Sequence, residues 1–546
     1  MSIVRQQASI ATLAVSGSRV AGLIREMVFA FFFGAGPAVD AFIAAFRIPN
    51  LLRDLFAEGA LSTSFVTVFS KKITEEGDDA AYKLGNQVFT FILMVMGSLT
   101  LLGIIFSPTL VHLIASGFTH DKFLYTVWLN RLLFPFILFV SLAAIAMGML
   151  NSKGKFALPQ SASTFFNLTS IVAGLTLAYL LSPHMMRDLL FSFFHHQPRP
   201  VPSWQEITRG LTGMALGTLL GGVVQWLVQM PALWKLGFRP RWNSTFSDDG
   251  FRKVMRLTLP AILGGAAVQV NVLINTHFAS YLADGSIAWL NYAFRLMQFP
   301  IGIFGVAVAT ATTPAIARYA ALKDVENFKK TLRESTQMTL FLCIPSALGL
   351  ILLAEPILGL IYQHGRFSAF DTTQAAHALM AYAVGLSSYA LIKIYQPAFL
   401  VHNDARTPMI LSLISIFLNL LVNWFLIFVL HFQHWGLALG TSVVALWNGF
   451  MLIFLFRKKV VGIWSAILLR EITKIILAAV FSTGLGWFAY HELFGLMGDR
   501  LILQRLLLVF IPIGLTTLFY YFVCSWMKIT EVTLVREFVF SKFRSK

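Results

Sequence analysis

The sequence predicts an all-α polytopic membrane protein with about fourteen transmembrane helices, and three observations lead there. Of 546 residues, 57% are hydrophobic and 12% are charged, about half the charge that coats a soluble globular surface. Mean hydropathy is +0.73, and apolar stretches long enough to cross a bilayer, about 20 residues each, recur along the chain. Basic residues gather in alternate connections, the pattern left by insertion across a membrane. This composition excludes a soluble enzyme, a disordered chain and a nucleic-acid binder, although the net charge of +17 would suggest the last in a soluble protein. Beside an anionic leaflet the same charge reports retained basic loops.

Taken in order, the predicted helices lie near 8–33, 38–69, 84–114, 124–150, 157–181 and 209–233, then near 255–282, 287–319, 331–362, 372–401, 407–430 and 434–456. Two more fall near 464–489 and 503–526. The second and eighth are long, and Pro49 and Pro300 inside them predict kinks. Even-numbered loops and both tails carry most of the cations. Examples are Lys235, Arg239, Arg241, Arg252, Lys253 and Arg256, then Arg318, Lys323, Lys329, Lys330 and Arg333, and the run Arg457–Lys459. The opposite loops hold few, among them Lys122, Arg187, Arg199 and Arg366. The positive-inside rule therefore places both termini in the cytoplasm. The first stretch carries Arg19, Arg25 and Glu26, unlike the apolar core of an export signal.

Two segments repeat. "AFRIPNLLRDLFAEGALSTSFVTVFSK" from Ala45 aligns with "AFRLMQFPIGIFGVAVATATTPAIARY" from Ala293, and Asn151 and Asn167 recur as Asn403 and Asn419 at an offset of 252. This predicts two six-helix lobes, 1–234 and 235–459, related by a pseudo-twofold, with 460–546 as two added helices and a basic tail. Parallel repeats of this kind place substrate between lobes and work by alternating access.

Arginine in a membrane interior costs from about 2.5 to more than 10 kcal/mol. Arg19, Arg25, Arg47, Arg53, Arg131, Arg295 and Lys393 all stand in apolar helical context, against Glu26, Asp54, Glu58 and, at a helix start, Asp40. Two readings compete. In one, each cation pairs locally, Arg25 with an acid on a neighbouring helix and Arg53 with Glu58, or snorkels as Arg131 does. In the other, the surplus of cations surrounds an anion, and guanidinium forks suit phosphate. The surplus favours the second. No hydrolase, P-loop or clustered Cys/His motif is present, so neither enzymatic chemistry, a cofactor nor a metal is expected. His195–His196 reads as part of a solvated loop. Cys343 and Cys524 sit in separate apolar segments and predict no disulfide framework.

The stretch "SGSRVAGLIREMVFAFFFGAGPAVDAFIAAFRIPNLLRDLFAEGALSTSFV", Ser16 to Val66, resembles the opening of the MurJ (MviN) family of bacterial lipid II flippases. Those proteins belong to the multidrug/oligosaccharidyl-lipid/polysaccharide exporter superfamily. "NTHFASYLADGSIAWLNYAFRLMQFPIGIFGVAVATATTPAIAR" and "YQHGRFSAFDT" resemble later family segments. The resemblance implies a fourteen-helix fold whose last two helices form a lipid-tail groove. It also implies lipid II, an undecaprenyl-pyrophosphate-linked peptidoglycan precursor, as cargo in the bacterial inner membrane, with the cell-wall synthesis machinery as a further partner. The functional arginines it implies are Arg19, Arg25, Arg53 and Arg295, supported by Glu26, Asp40, Asn50 and Glu58. Gln298 stands where many members carry an acid. Asn275, Asn419, Asn423 and Thr441 match the sodium site of some members; with no carboxylate among them, a hard cation would bind weakly. A flippase for another undecaprenyl-linked glycan would use the same arginines. A cation-coupled multidrug exporter would need an acidic cavity instead.

Overall fold

The computed structural model describes residues 3–55, 61–195, 197, 201–460, 462–463, 466–498 and 501–533, and shows them folded almost wholly into helices. By their contacts they form two compact units, residues 1–288 with 364–367, and 289–363 with 368–546.

The first unit holds α1 (Ile3–Phe33), α2 (Pro37–Arg53), α3 (Leu61–Glu76), α4 (Asp78–Ile105), α5 (Ser107–Ala115) and α6 (His120–Leu133). It continues with α7 (Phe136–Ser152), α8 (Ala157–Leu181), α9 (Pro183–Phe194), α10 (Trp204–Leu227), α11 (Met230–Lys235) and α12 (Asp249–Ala279). From α13 (Ser286–Pro300), whose first turn still belongs to the first unit, the second unit runs through α14 (Val306–Ala321), α15 (Val325–Leu352) and α16 (Ala354–Tyr362). It ends with α17 (Ala369–Ala383), α18 (Leu386–Val401), α19 (Arg406–Trp424), α20 (His434–Lys459), α21 (Ala466–Met497) and α22 (Ile502–Trp526).

Each predicted span corresponds to one helix or to a pair broken in the middle. Ten helices are long and apolar enough to cross a membrane among the described residues, and α17 with α18, bent by 41°, makes an eleventh. The remaining passages, α1, α2 with α3, and α12, are helical too, and they include the ones that carry Arg19, Arg25, Arg47 and Arg53. Pro300 closes α13 and hands over to a π-helical turn, Ile301–Gly305, where the missing proline N–H removes one rung of the ladder. The segment after Pro183, read from the sequence as a loop, is in part the helix α9. Its Met185, Met186, Leu189 and Ser192 are buried while Phe191 and Phe194 face outward.

Glycine sets the tightest packing. Gly213, Gly217 and Gly221 lie four apart on one face of α10 and meet Ala178, Gly174 and Ser170 on α8. A Cβ on Gly213 would overlap the Ala178 backbone, one on Gly217 would overlap Gly174, and one on Gly221 would stand 2.5 Å from Ser170 Oγ. In lipid, helices gain little from hiding apolar surface, so close backbone approach through small residues does the work. A second backbone approach fixes residues 364–367 to the first unit. Gly34 (φ +68°) faces the Arg366 backbone and Gly365 (φ +57°) faces Phe31, while Arg366 N–H donates to the Phe31 carbonyl at 2.8 Å. Burial pulls the Arg366 guanidinium down to about 10, against the attraction of Glu206.

Two helix starts are satisfied by their own side chains. The α10 start is closed by a capping box between Ser203 and Glu206, and the α17 start by one between Ser368 and Asp371. Asp371 also accepts from Trp289 Nε1 at 2.9 Å.

Replacing Gly217 by valine forces α8 and α10 apart. The expected loss is at least the ~1–3 kcal/mol typical of overpacking, read as a lower unfolding temperature in detergent. Gly97→Val, at a glycine with open space around it, is the control and should melt close to wild type.

Candidate functional site: charged groups on the transmembrane helices

Four groups of predicted site residues occur within the units. On α1, Arg19 is exposed, and the turn that carries it is held by Asn167 of α8, whose Nδ2 donates to the Ser18 carbonyl at 3.3 Å. Two turns on, Arg25 Nη2 lies 3.0 Å from Glu26 Oε1, with side chains 18% and 12% exposed, and its guanidinium carbon sits 5.3 Å from the Phe166 ring centre. Among the described residues, Glu26, its sequence neighbour, is one partner of Arg25. Consecutive helical residues point about 100° apart, so the pair closes only because both long side chains bend toward each other, leaving one side of the guanidinium against an aromatic face.

On α2, Arg53 reaches Asp54 with Nη2 at 2.7 Å and Nε at 3.1 Å, and the other carboxylate oxygen of Asp54 accepts from Gln269 of α12 at 3.2 Å. The sequence pairing of Arg53 with Glu58 lies outside the described residues; Asp54 is the acid the structure puts there. Asn50 is half-buried one turn earlier.

Asp40 is 1% exposed and is the most fully engaged of the predicted residues. One oxygen accepts from Lys122 Nζ at 3.0 Å and from the Gly285 N–H at 2.8 Å; the other accepts from the Ala288 N–H at 2.9 Å. Asp40 therefore caps the first turn of α13, where free N–H groups and the helix dipole favour a carboxylate. Lys122 is shared with Asp284 at 2.7 Å and lies 4.1 Å from the centre of the Phe118 ring. Lys122 reads from the sequence as a loop cation. The structure instead buries it on α6 at 5% exposure. The signal that could have found it was Asp284–Gly285 directly before a helix, paired with an acid at the start of α2.

In the second unit, Arg295 and Gln298 are both exposed and lie three apart on α13, hence on one face, just ahead of the π-helical turn. Of the residues compared with a sodium site, Asn419 and Asn423 are buried, and Asn423 Nδ2 donates to Asn419 Oδ1 at 3.1 Å. Asn423 Oδ1 fills the space over Gly440, and the Thr441 hydroxyl donates to the Leu437 carbonyl at 2.8 Å. Asn275 belongs to the first unit. Arg131 and Lys393 are exposed, Arg131 with Nε toward the Ile104 carbonyl at 3.3 Å. His195 is exposed and stacks on Phe191 at 4.0 Å. Among the described residues no group of three His, Cys, Asp or Glu could hold a metal.

Guanidinium and carboxylate groups spaced along membrane-crossing helices fit the class of multi-pass membrane transporters. A sequence model of the family described as "Lipid II flippase MurJ" matches residues 29–498. The chain is 34% identical over 485 residues to the lipid II flippase MurJ of Burkholderia cenocepacia, covering 87% of this chain and 89% of that protein. It is 35% identical over 442 residues to a probable lipid II flippase MurJ of Vibrio cholerae, covering 79% and 78%. The chain belongs to the lipid II flippase MurJ family. Its fold is similar to a solved "Lipid II flippase MurJ, inward closed conformation", with TM-score 0.74 and 24% identity over 95% of this chain and 99% of that one. It is also similar to an inward-facing MATE family multidrug transporter of the MOP superfamily, with TM-score 0.62 and 16% identity over 83% and 95%.

Asp40→Ala takes the buried acceptor from Lys122, which keeps only the exposed Asp284, and from the Gly285 and Ala288 N–H groups. Removing one partner of a buried pair costs about 3–5 kcal/mol, so D40A should insert poorly or melt far below wild type. The double variant D40A/K122M removes both charges and should recover part of that loss in the same thermal assay.

Proposed function

We propose that the chain moves lipid II from the inner to the outer leaflet of the bacterial inner membrane by alternating access. The match to the lipid II flippase MurJ family over residues 29–498 carries this reading, and the chemistry of the arginines supports it. A pyrophosphate offers oxygens to several planar guanidinium forks at once. Arg19, Arg25 and Arg53 would supply forks from the first unit and Arg295 from the second. Arg25 and Arg53 rest on acids that are sequence neighbours and partly exposed. In this reading an arriving diphosphate competes with Glu26 and Asp54 for the guanidinium forks. While the cavity is empty, the same acids keep a bare cation from facing hydrocarbon.

The two six-helix repeats, 1–234 and 235–459, would alternate in opening, and residues 460–546 would hold the isoprenoid tail. Exposed Phe481, Phe488, Phe510 and Phe522 on α21 and α22 suit a lipid-facing groove. The last turn of α20, Arg457–Lys459, agrees with a cytoplasmic side shared by both termini. Equal grip on the diphosphate in both states would shift no equilibrium. The inside-negative potential, worth about 2.3 kcal/mol per charge per 100 mV, biases an anion outward. Asn275, Asn419, Asn423 and Thr441 bring no carboxylate, so sodium would contribute little.

Arg25→Ala and Arg295→Ala should each abolish rescue of a bacterium depleted of its lipid II flippase, at normal membrane levels of the protein. Lysine at either position should rescue only in part, because an ammonium is a point charge without the fork. Full growth with either alanine variant would remove the arginines from the mechanism.

Replacing sodium by potassium in proteoliposomes should change lipid II movement less than twofold, whereas collapsing the membrane potential should slow it. A requirement for sodium would assign the amide cluster a role it lacks in this reading.

A further inference from the structure

After α22 the chain turns back on itself. Lys528 takes φ +55° and Ile529 N–H donates to the Cys524 carbonyl at 3.0 Å, closing the helix end with a left-handed residue. The short helical turn at 530–533 then lies against the second unit. Ile529 and Val532 join a core of Phe341, Ile475, Ala479 and Tyr520 contributed by α15, α21 and α22. Glu531 sits between those two apolar residues and is 2% exposed. Its Oε2 is buried and has no hydrogen-bond partner, and the same is true of Glu471 Oε2 on α21.

Among the described residues, the charged groups on the surrounding elements do not supply Glu531 with a cation. From α15 come Glu334 and Arg333, the guanidinium of which is taken by the carbonyls of Gly462 and Ile463. From α21 come Glu471 and Lys474, bound to each other at 2.7 Å, and Arg470, which is exposed. From α22 and the turn come Tyr520, donating to the Phe341 carbonyl at 2.9 Å, the buried Cys524 and the exposed Lys528. Two buried carboxylate oxygens without donors cannot both belong to ionised groups at reasonable cost.

We propose that Glu531 is a proton-binding site, and that the turn at 529–533 docks on α15, α21 and α22 only while Glu531 carries its proton. Burial, with the negative charges of Glu471 and Glu334 nearby, pushes the Glu531 carboxyl above the ordinary carboxylate range. The site owes nothing to the flippase reading. It would make the packing of the last two helices sensitive to the pH of the compartment that the tail faces. In acid, Glu531 is protonated in both the folded and the unfolded chain and contributes no pH dependence. As pH rises past the ordinary carboxylate range, the unfolded chain releases the proton and the folded chain does not, so stability falls until Glu531 itself ionises.

The test compares unfolding temperatures of the full-length wild type and Glu531→Gln across pH. Glutamine keeps the shape of the neutral acid and cannot ionise. The two proteins should melt together in acid, and E531Q should gain an advantage of about 2 °C or more at neutral and alkaline pH. Glu334→Gln, at an exposed position, should shift the wild-type transition toward lower pH, since it removes a like charge that helps hold the proton on Glu531. That shift is therefore one of size rather than of new behaviour: the gap between E334Q and E334Q/E531Q should be smaller than the gap between wild type and E531Q. A pH-independent difference, or an E531Q less stable at every pH, would overturn the proposal by showing Glu531 ionised against a cation. Stabilisation of wild type but not of E531Q by added sodium or calcium would overturn it in favour of a metal ion.

Discussion

The structure depends on one constraint: a charge or an unpaired polar group cannot be left in hydrocarbon, so each must find its partner before the helices can pack. Hydroxyls meet it most simply. Thr126, Thr218, Thr312, Thr336 and Thr483 each return their proton to the carbonyl four residues back, which satisfies the side chain without any tertiary contact. Asp40 meets it at greater range, since its two oxygens gather one ammonium and two backbone N–H groups from elements far apart in the chain. Burying that carboxylate is tolerable only with all three donors in place, and so the interaction dictates where α2, α6 and the start of α13 lie.

The arginines answer the same constraint in another way. Arg25 and Arg53 lean on Glu26 and Asp54, the next residues in the chain, and keep measurable exposure. Asp40 and Lys122 are both almost completely buried. Exposure separates the two kinds of pair. A fully desolvated pair is expensive to open and therefore sets architecture. A less buried pair between sequence neighbours, with side chains 12–27% exposed, keeps a route to water that the Asp40–Lys122 pair lacks.

How much of this was legible in the sequence follows from range. The spans, the membrane class and the charged positions are local properties, and apolar stretches with Arg19, Arg25, Arg53 and Asp40 among them display those directly. The Gly213–Gly217–Gly221 spacing was equally local and was passed over, because its meaning appears only when Gly174 of α8 faces it. Lys122 was misread for the opposite reason: three residues before Tyr125 and next to Asp121, it looks like an ordinary loop cation, and only tertiary structure brings Asp40 and Asp284 to it. The contact of Arg25 with Glu26 is hard to read from sequence, since an acid one residue away on a helix points to another side unless both side chains bend.

Glu531 extends the same argument to a place where the constraint is met by neither pairing nor exposure. An aspartate with three donors has both buried oxygens satisfied, and an arginine beside a partly exposed acid has its counter-charge at hand. A glutamate between Ile529 and Val532, with acids as its nearest charged neighbours, has a third way to satisfy the constraint, which is to give up its charge. Asp40 and Glu531 thus differ in the number of donors within reach: three for Asp40, and none among the described residues for Glu531 Oε2, so one free-energy penalty is met by pairing in the first place and by proton uptake in the second.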